Sequence, residues 1–183
     1  MKIRVIVPCY NEGEVVLKTY DKLTEIMKKD SLIKNYEYDL LFINDGSTDT
    51  TIHHIKNIVA YDNHVKYLSF SRNFGKEAAM IAGYQHSTMH DAVIMIDGDL
   101  QHPPEYIPQM IEGYIEGYDQ VVAKRNRQGE NFVRKTLSRC YYKLINAFVE
   151  DIQFEDGVGD FRLLSRRAAV SYTHLTLPTS DLV

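Results

Sequence analysis

The chain has 183 residues and a formal net charge of −4, with 44% hydrophobic and 25% charged residues. This composition is typical of a globular protein of about one domain and excludes an intrinsically disordered chain. No run approaches the roughly 18–20 apolar residues of a transmembrane helix, and we expect no secretory signal at the start. Cys9 and Cys140 match no zinc or disulfide pattern, which predicts reduced thiols in a cytosolic setting.

Five short apolar runs, rich in Val, Ile and Phe, alternate along the chain with segments of helical periodicity. The runs occupy residues 3–7, 39–43, 65–70, 92–96 and 119–123. Because most of them lack polar alternation, they are typical of strands buried on both faces of a parallel sheet. The repeated strand–helix alternation predicts an α/β sandwich with a mainly parallel central sheet.

The segments between the runs carry helix signals. The first places an apolar face on Val16, Tyr20, Leu23 and Met27, and the second does so on Ile52, Ile55, Ile58 and Val59. Asn11 and Glu14 have the spacing of a capping pair for the first helix. Ser47 or Asp49 could cap the second helix. The adjacent prolines 103 and 104 predict the start of another helix, where a missing N–H has no cost.

Polar residues follow each of the first four runs. They are residues 8–12, 44–47, 71–73 and 97–99. Since the carboxyl ends of parallel strands share one edge of a sheet, where ligands bind, these residues are expected to converge. Neither GxGxxG nor GxxxxGK[ST] is present, which disfavours a dinucleotide-binding Rossmann domain and a P-loop. Phosphate binding would therefore depend on a metal and on basic side chains.

Asp97 and Asp99, separated by one glycine, can turn toward a single divalent cation, and oxygen ligands suit Mg²⁺ or Mn²⁺. The alternative is an ordinary Asp-Gly turn. Asp45 could accept hydrogen bonds from a nucleobase, whereas its neighbours could simply cap a helix. His102 follows the acidic pair and is a weak candidate for a ligand contact.

A basic segment interrupts the acidic chain. Residues 124–143 contain seven Lys or Arg residues and one acidic residue, Glu130. This local charge predicts an anionic surface or a phosphate bound at one place, and nucleic acid is not an expected partner. Residues 131–150 have the pattern of an amphipathic basic helix that could lie on a membrane surface. An ordinary surface helix is the alternative.

Taken together, these motifs resemble glycosyltransferase family 2, whose catalytic domain has the GT-A fold. The matching stretches are residues 7–12, 44–49 and 97–99. Three further stretches, residues 71–77, 99–105 and 158–163, resemble the polyprenyl-phosphate branch, meaning bactoprenol glucosyltransferases and dolichol-phosphate mannose synthases. The resemblance covers about residues 1–170.

The resemblance implies transfer of a sugar, with inversion, from a nucleotide diphosphate sugar to a polyprenyl phosphate. The bactoprenol branch favours UDP-glucose as donor, although the sequence does not separate UDP from GDP. The implied cofactor is Mg²⁺ or Mn²⁺, and the implied location is the cytoplasmic face of the membrane. Relatives often carry C-terminal transmembrane helices. The sequence does not determine whether the protein forms a homo-oligomer.

The resemblance also assigns roles to residues. Pro8, Tyr10, Glu12 and Asp45 would hold the nucleoside, and Asn11 is a further substrate-binding candidate. Asp97, Asp99 and Gln101 would hold the metal and the diphosphate, and Asp99 is also a catalytic candidate. Arg125 would reach the donor phosphates or sugar, and Arg134 and Ser138 would bind the acceptor phosphate from one helix face.

Asp160 falls where related transferases place their base, and Asp160 and Arg162 are both catalytic candidates. A polyprenyl phosphate is already largely anionic near neutral pH, because the second pKa of a phosphate is about 6. Such an acceptor needs positioning and charge neutralisation more than deprotonation. We therefore expect Asp160 to orient Arg162 or the acceptor, with proton removal secondary.

The chain departs from the family pattern at three positions: Asn44 replaces the usual Asp, Gly98 the usual Ala, and Cys9 an aliphatic or hydroxyl residue. Residues 171–183 match nothing in the family. We therefore predict a catalytic domain over residues 1–170, truncated at its C-terminal end. A disordered or artefactual tail would follow over residues 171–183.

Two other functions remain open at this point. One keeps the sugar-nucleotide chemistry but transfers to a polysaccharide or another glycan. The other is a catalytically incomplete fragment that binds sugar nucleotides. The basic segment favours a phosphate acceptor over a neutral sugar, and only turnover separates the two enzymes from the fragment.

Overall fold

The computed structural model describes residues 1–124 and 158–175. The strands are β1 (Lys2–Cys9), β2 (Glu37–Asn44), β3 (Val65–Ser69), β4 (Ala92–Met95), β5 (Gln120–Lys124) and β6 (Val158–Ser165). The helices are α1 (Val16–Lys34), α2 (Thr51–Tyr61), α3 (Lys76–Gln85), α4 (Ile107–Ile115) and α5 (Arg166–Leu175), with a 3-10 helix at Pro104–Tyr106. Of the described residues, 1–121 and 160–175 belong to one compact unit.

Within the described residues, six strands form one sheet in the order β3-β2-β1-β4-β6-β5. β1 pairs in parallel with β2 and β4, and β2 pairs in parallel with β3. β6 runs antiparallel to β4. The predicted α/β architecture with a mainly parallel sheet is confirmed, and each of the five predicted runs coincides with a strand. β6 was not among the predicted strands.

The central position of β1 explains its apolar sequence. Every residue of β1 after Lys2 is buried, because β2 and β4 flank it and helices cover the sheet. Ile3, Ile6 and Phe42 are fully buried, and so is Phe161 of β6. A strand buried on both faces has no reason to alternate polar and apolar residues.

The predicted apolar face of α1 is largely confirmed. Val16, Leu23 and Met27 are buried, whereas Tyr20 is half-buried and its hydroxyl donates to Asp62 Oδ2 at 2.8 Å. The predicted capping pair is wrong. The N-cap of α1 is Val15, without a side-chain hydrogen bond.

The adjacent prolines do start helical structure, as predicted: the 3-10 helix leads directly into α4. At the C-terminal side, the domain boundary at residue 170 stays a prediction. α5 runs through residue 170 to Leu175, and Tyr172 packs edge-on against Tyr84 of α3 with ring centroids 5.4 Å apart. Within the described ranges, no helix is both long and apolar enough to cross a bilayer.

Candidate active site

The carboxyl ends of β1, β2 and β4 surround a cavity of about 280 Å³. Its lining comes from every polar segment that was expected to converge: Pro8, Cys9, Tyr10, Glu12, Asp45, Asn73, Gly75, Lys76, Ala79, Asp97, Gly98 and Asp99. The parallel pairing of the four strands brings together residues that are up to 91 positions apart in the chain. The predicted convergence at one edge of the sheet is therefore confirmed.

The segment after β1 is tied to the segment after β2 by hydrogen bonds. Asn11 has a positive φ of 55°, its Oδ1 accepts the Thr48 N–H at 2.9 Å, and its own N–H donates to Ser47 Oγ at 3.0 Å. The Gly13 N–H donates to Asp49 Oδ2 at 2.9 Å. The Asn11 side chain, predicted to contact substrate, thus links two loops and is absent from the cavity lining.

Asp45 ties the segment after β2 to the start of α3. Its two oxygens accept the N–H groups of Phe74 and Gly75 at 2.7 and 2.9 Å. The adjacent Gly46 has a positive φ of 64°, and a Cβ added there would lie 2.2 Å from the carbonyl carbon of Arg72. This close approach fixes where α3 begins, and therefore where Lys76 lies.

The acidic pair lies in a tight turn after β4. Leu100 has a positive φ of 58°, which is uncommon for a residue with a Cβ, and the Gln101 N–H donates to Asp99 Oδ1 at 3.0 Å. The Thr19 hydroxyl of α1 donates to the Gly98 carbonyl at 2.7 Å. Strained turns of this kind are concentrated at functional sites.

Two departures from the family pattern are in contact in this turn. A Cβ added to Gly98 would lie 3.0 Å from Cys9 Sγ and 3.2 Å from the Pro8 carbonyl oxygen. The missing methyl group at position 98 therefore makes room for the larger sulfur at position 9. Burial, followed by the charges of Glu12 and Asp97, raises the pKa of the Cys9 thiol well above its ordinary value. The thiol is therefore a packing group.

Lys76 joins the acidic turn to β6. Its Nζ lies 2.6 Å from Asp97 Oδ1 and 2.7 Å from Asp160 Oδ2. The other oxygen of Asp97 lies 3.5 Å from His102 Nε2, and the other oxygen of Asp160 accepts a bond from Arg162 at 3.3 Å. Asp160 and Arg162 are thus in direct contact. The contact of Lys76 with both carboxylates was not predicted.

Electrostatics differ between the two sides of the site. Burial raises the pKa of the Glu12 carboxyl, and the charges of Asp99, Asp49 and Asp97 raise it further. Burial also acts to raise the pKa of Asp160, but the hydrogen bond and charge of Lys76, with the charge of Arg162, outweigh it and hold that pKa below its ordinary value. The cavity is therefore acidic, while Asp160 is a carboxylate held by cations.

The acidic side of the cavity fits a divalent cation. Among the described residues, no three His, Cys, Asp or Glu side chains converge closely enough to hold a metal ion by themselves. Asp97 and Asp99 supply hard oxygen donors, and the carboxyl of Glu12 lines the same cavity. The remaining ligands would come from diphosphate oxygens and water, which Mg²⁺ commonly retains.

The structure brings six of the predicted site residues together in the cavity. Pro8, Tyr10, Glu12, Asp45, Asp97 and Asp99 line the cavity, whereas the exposed Gln101 does not. Arg125, Arg134 and Ser138, together with the predicted basic helix, lie outside the described residues. Asn44 is buried, donates to Ser69 Oγ at 2.9 Å and accepts the Ser47 N–H at 3.2 Å. A carboxylate could not make that donation.

Sequence reasoning missed Gly75, Lys76 and Ala79 as lining residues. Residues 71–77 were singled out as a stretch characteristic of the branch, so a signal was present. No role could be drawn from it, because a lysine at the start of a helix has the same local pattern whether it faces solvent or two carboxylates.

Comparison with known proteins places the site in a family. The model for glycosyl transferase family 2 matches residues 4–172. The protein CsbB of Bacillus subtilis is 53% identical over 166 residues, covering 91% of this chain and 49% of the relative. A prophage bactoprenol glucosyl transferase homologue of Escherichia coli is 43% identical over 167 residues, covering 91% and 53%. The chain thus spans about half the length of the curated relatives it matches.

Solved structures share the fold. A mannosyltransferase from Pyrobaculum calidifontis, in complex with GDP-Man and Mn²⁺, has a TM-score of 0.61 at 16% identity, covering 90% of this chain and 44% of that one. Glucosyl-3-phosphoglycerate synthase from Mycobacterium tuberculosis, in complex with UDP, has a TM-score of 0.59 at 21% identity, covering 91% and 57%. These similarities confirm the predicted GT-A fold.

Proposed function

The chain belongs to glycosyl transferase family 2, and from this we propose that it transfers a sugar, with UDP-glucose as donor, to a polyprenyl phosphate. One observation carries the proposal: Glu12, Asp45, Asp97 and Asp99 meet in a single cavity at the carboxyl edge of a parallel sheet. The relatives named bactoprenol glucosyl transferase, at 43–44% identity, support the acceptor and the sugar.

The proposed reaction is a displacement at the anomeric carbon. The bond from that carbon to the donor diphosphate breaks, its electron pair leaves with the nucleoside diphosphate, and a phosphate oxygen of the acceptor forms the new bond with inversion. The attacking oxygen is already anionic, so no proton has to leave it. Mg²⁺ or Mn²⁺, held by Asp97 and Asp99, would neutralise the leaving diphosphate. Gln101, the third ligand predicted from the sequence, lies outside the cavity lining.

The remaining parts of the proposal rest on the sequence. Arg125 is proposed to reach the donor phosphates, and Arg134 and Ser138 to bind the acceptor phosphate. The basic segment is proposed to hold the protein at an anionic membrane surface, where each basic side chain contributes roughly 1 kcal/mol. The lipid acceptor is then presented to the site at that surface.

Turnover with a panel of donors and acceptors tests the proposal. UDP-glucose and GDP-mannose are each offered with a polyprenyl phosphate or a neutral oligosaccharide, with Mn²⁺ or with excess chelator. We expect transfer from UDP-glucose to the polyprenyl phosphate, abolished by chelator and by Asp99→Asn. Glu105→Gln, which neutralises an exposed partner of Lys22, is the control and should retain full activity.

Other outcomes would select other functions. Transfer to the oligosaccharide alone would show an acceptor of the polysaccharide class. Binding of UDP with Mn²⁺ but no transfer to either acceptor would identify a sugar-nucleotide-binding fragment. Undiminished turnover in chelator would contradict the metal assignment.

A further inference from the structure

Lys76 has no role in the assignments drawn from the family resemblance, yet its ammonium contacts two of the carboxylates that those assignments use. Its Nζ lies 2.6 Å from Asp97 and 2.7 Å from Asp160. Its side chain is 39% exposed and lines the cavity. Within the described part of the chain, it is thus a built-in cation at the carboxylate proposed to bind the metal.

Both oxygens of Asp97 already face cationic or hydrogen-bonding groups. Oδ1 is bonded to Lys76, and Oδ2 lies 3.5 Å from His102 Nε2. A divalent cation that binds Asp97 would lie close to the oxygen that the ammonium now contacts. Two cations at one carboxylate repel each other, and this repulsion is stronger in a partly buried site than in water. The metal and Lys76 therefore compete for Asp97.

The position of Lys76 is set by the surrounding backbone. Lys76 is the first residue of α3, and the two N–H groups just before it are held by Asp45. The close approach of Gly46 to residues 72 and 73 holds the same segment from the other side. The lysine is therefore directed at the acidic turn by contacts at its own helix start.

Asp160 gives the ammonium a second partner. It lies on β6 and contacts Lys76 through the oxygen that does not face Arg162. When Asp97 turns to a metal, Lys76 can stay on Asp160, so its charge remains paired. Such a change requires only side-chain rotation.

We propose that Lys76 is an internal counter-cation that occupies Asp97 in the unloaded site and yields this carboxylate to the divalent cation while keeping Asp160. The inference rests on the proposed function, because it concerns the same metal-binding carboxylates. Lys76 is then a positioning residue, which lowers the affinity of the empty site for metal and links Asp97 to Asp160.

Direct measurement of metal binding tests the proposal without turnover. Free Mn²⁺ is measured by electron paramagnetic resonance while the full chain is titrated in the absence of nucleotide. We expect Lys76→Met to bind Mn²⁺ at least about fivefold more tightly than the unaltered chain, because a competing charge is gone. Lys76→Arg keeps the charge and should not tighten binding. Lys76→Gln, neutral but still hydrogen-bonding, should behave like Lys76→Met if the latter folds poorly.

Lys22→Met is the matched control. Lys22 also pairs with a carboxylate, at 2.9 Å from Glu105, and its side chain is 40% exposed. The Lys22→Met substitution removes the same positive charge at a site away from the cavity. Its effect on Mn²⁺ affinity should therefore be small. Asp97→Asn and Asp99→Asn should each weaken binding.

The outcomes separate the two proposals. If both Asp variants weaken Mn²⁺ binding but Lys76→Met binds Mn²⁺ as the unaltered chain does, the proposed competition between Lys76 and the metal is wrong, while the proposed metal site stands. Equal tightening by Lys22→Met and Lys76→Met would also overturn it, since only net charge would matter. If neither Asp variant changes Mn²⁺ binding, the metal assignment itself fails.

Discussion

Asp160 is the residue whose surroundings say most about the proposed chemistry. Its carboxylate faces Lys76 on one oxygen and Arg162 on the other. These cations hold its pKa below the ordinary value, against the effect of burial. A carboxylate so stabilised in its ionised form is a weak base. The geometry therefore agrees with the expectation that Asp160 orients its neighbours, and its role stays a prediction.

We predict that Asp160→Asn lowers turnover by a factor that changes little with pH. With its pKa below the ordinary carboxyl value of about 3.9, Asp160 is ionised throughout the range from about pH 6 to about pH 8. Its contribution as a positioning group is therefore constant there. The measurement is kcat and the KM for polyprenyl phosphate at several pH values. We expect the ratio of the variant's kcat to that of the unaltered chain to vary by less than about twofold over this pH range.

A true base would give a different profile. If the turnover of Asp160→Asn recovered at high pH, where more of the acceptor is dianionic, the positioning role would be contradicted. A loss close to the upper end of general-base effects, about 10⁴-fold, would do so as well. Glu105→Gln serves as the neutralised control, because its carboxylate is 58% exposed in a surface ion pair.

The contact between the segments after β2 and β3 is the structural element that positions the site. Gly46 at φ 64° lies against the backbone of residues 72 and 73, and Asp45 holds the next two N–H groups. Only glycine fits this approach, because any side chain would enter the facing backbone. Sequence alone shows an Asp-Gly turn here, but not what the turn packs against.

We predict that Gly46→Ala destabilises the chain by about 2–5 kcal/mol, of which about 1–2 kcal/mol is the left-handed backbone and about 1–3 kcal/mol the overpacking. Urea unfolding measures this change. Gly117→Ala is the control, since Gly117 also has a positive φ of 103° but nothing lies within 4 Å of an added Cβ. An equal loss in both variants would mean that the close approach contributes nothing.

Away from the cavity, a buried ionic network joins the strands near their amino ends. Arg4 and Asp39 are direct partners in the β1–β2 register, and Arg4 also donates to the His86 carbonyl at 2.6 Å. Asp39 Oδ2 lies 2.8 Å from an Arg4 nitrogen and 3.1 Å from His90 Nε2. The network thus connects β1, β2 and the segment before β4.

We predict that this network makes the chain sensitive to acid. Burial acts to raise the pKa of Asp39, but the hydrogen bonds from Arg4 and His90 and their charges outweigh it and hold the pKa far below its ordinary value. A carboxyl with a depressed pKa contributes its full stability above the unfolded value of about 3.9 and loses it as the pH falls further. The free energy of unfolding should therefore decline below about pH 4.

Asp39→Asn is the test of that decline. It should cost about 3–5 kcal/mol near neutral pH, because it leaves the Arg4 charge buried without its partner. It should also flatten the acid side of the stability curve, measured by urea unfolding at several pH values. Glu105→Gln should leave the curve nearly unchanged, since exposed ion pairs contribute little. If the free energy of unfolding of Asp39→Asn fell with decreasing pH as steeply as that of the unaltered chain, other carboxyl groups would be the cause of the decline.

The fold was largely predictable from the sequence. Unbroken apolar runs indicate strands buried on both faces, and their alternation with amphipathic helical segments indicates a parallel sheet covered by helices. That same topology forces the polar residues after β1, β2 and β4 onto one edge, so the acidic cavity could be predicted. β6 escaped prediction because Asp160 and Arg162 alternate with the buried Phe161 and Leu163, which is a short pattern without the continuous apolar signal of the central strands.

The sequence by itself thus determined the architecture, the edge that holds the site and the family of the chain. Only the tertiary structure decided which side chains meet: Asp45 with the start of α3, Gly98 with Cys9, and Lys76 with Asp97 and Asp160. The physical reason is the range of the signals. Burial and helical periodicity can be predicted from the pattern of neighbouring residues, whereas an ion pair between residues 76 and 160 depends on how separate elements pack.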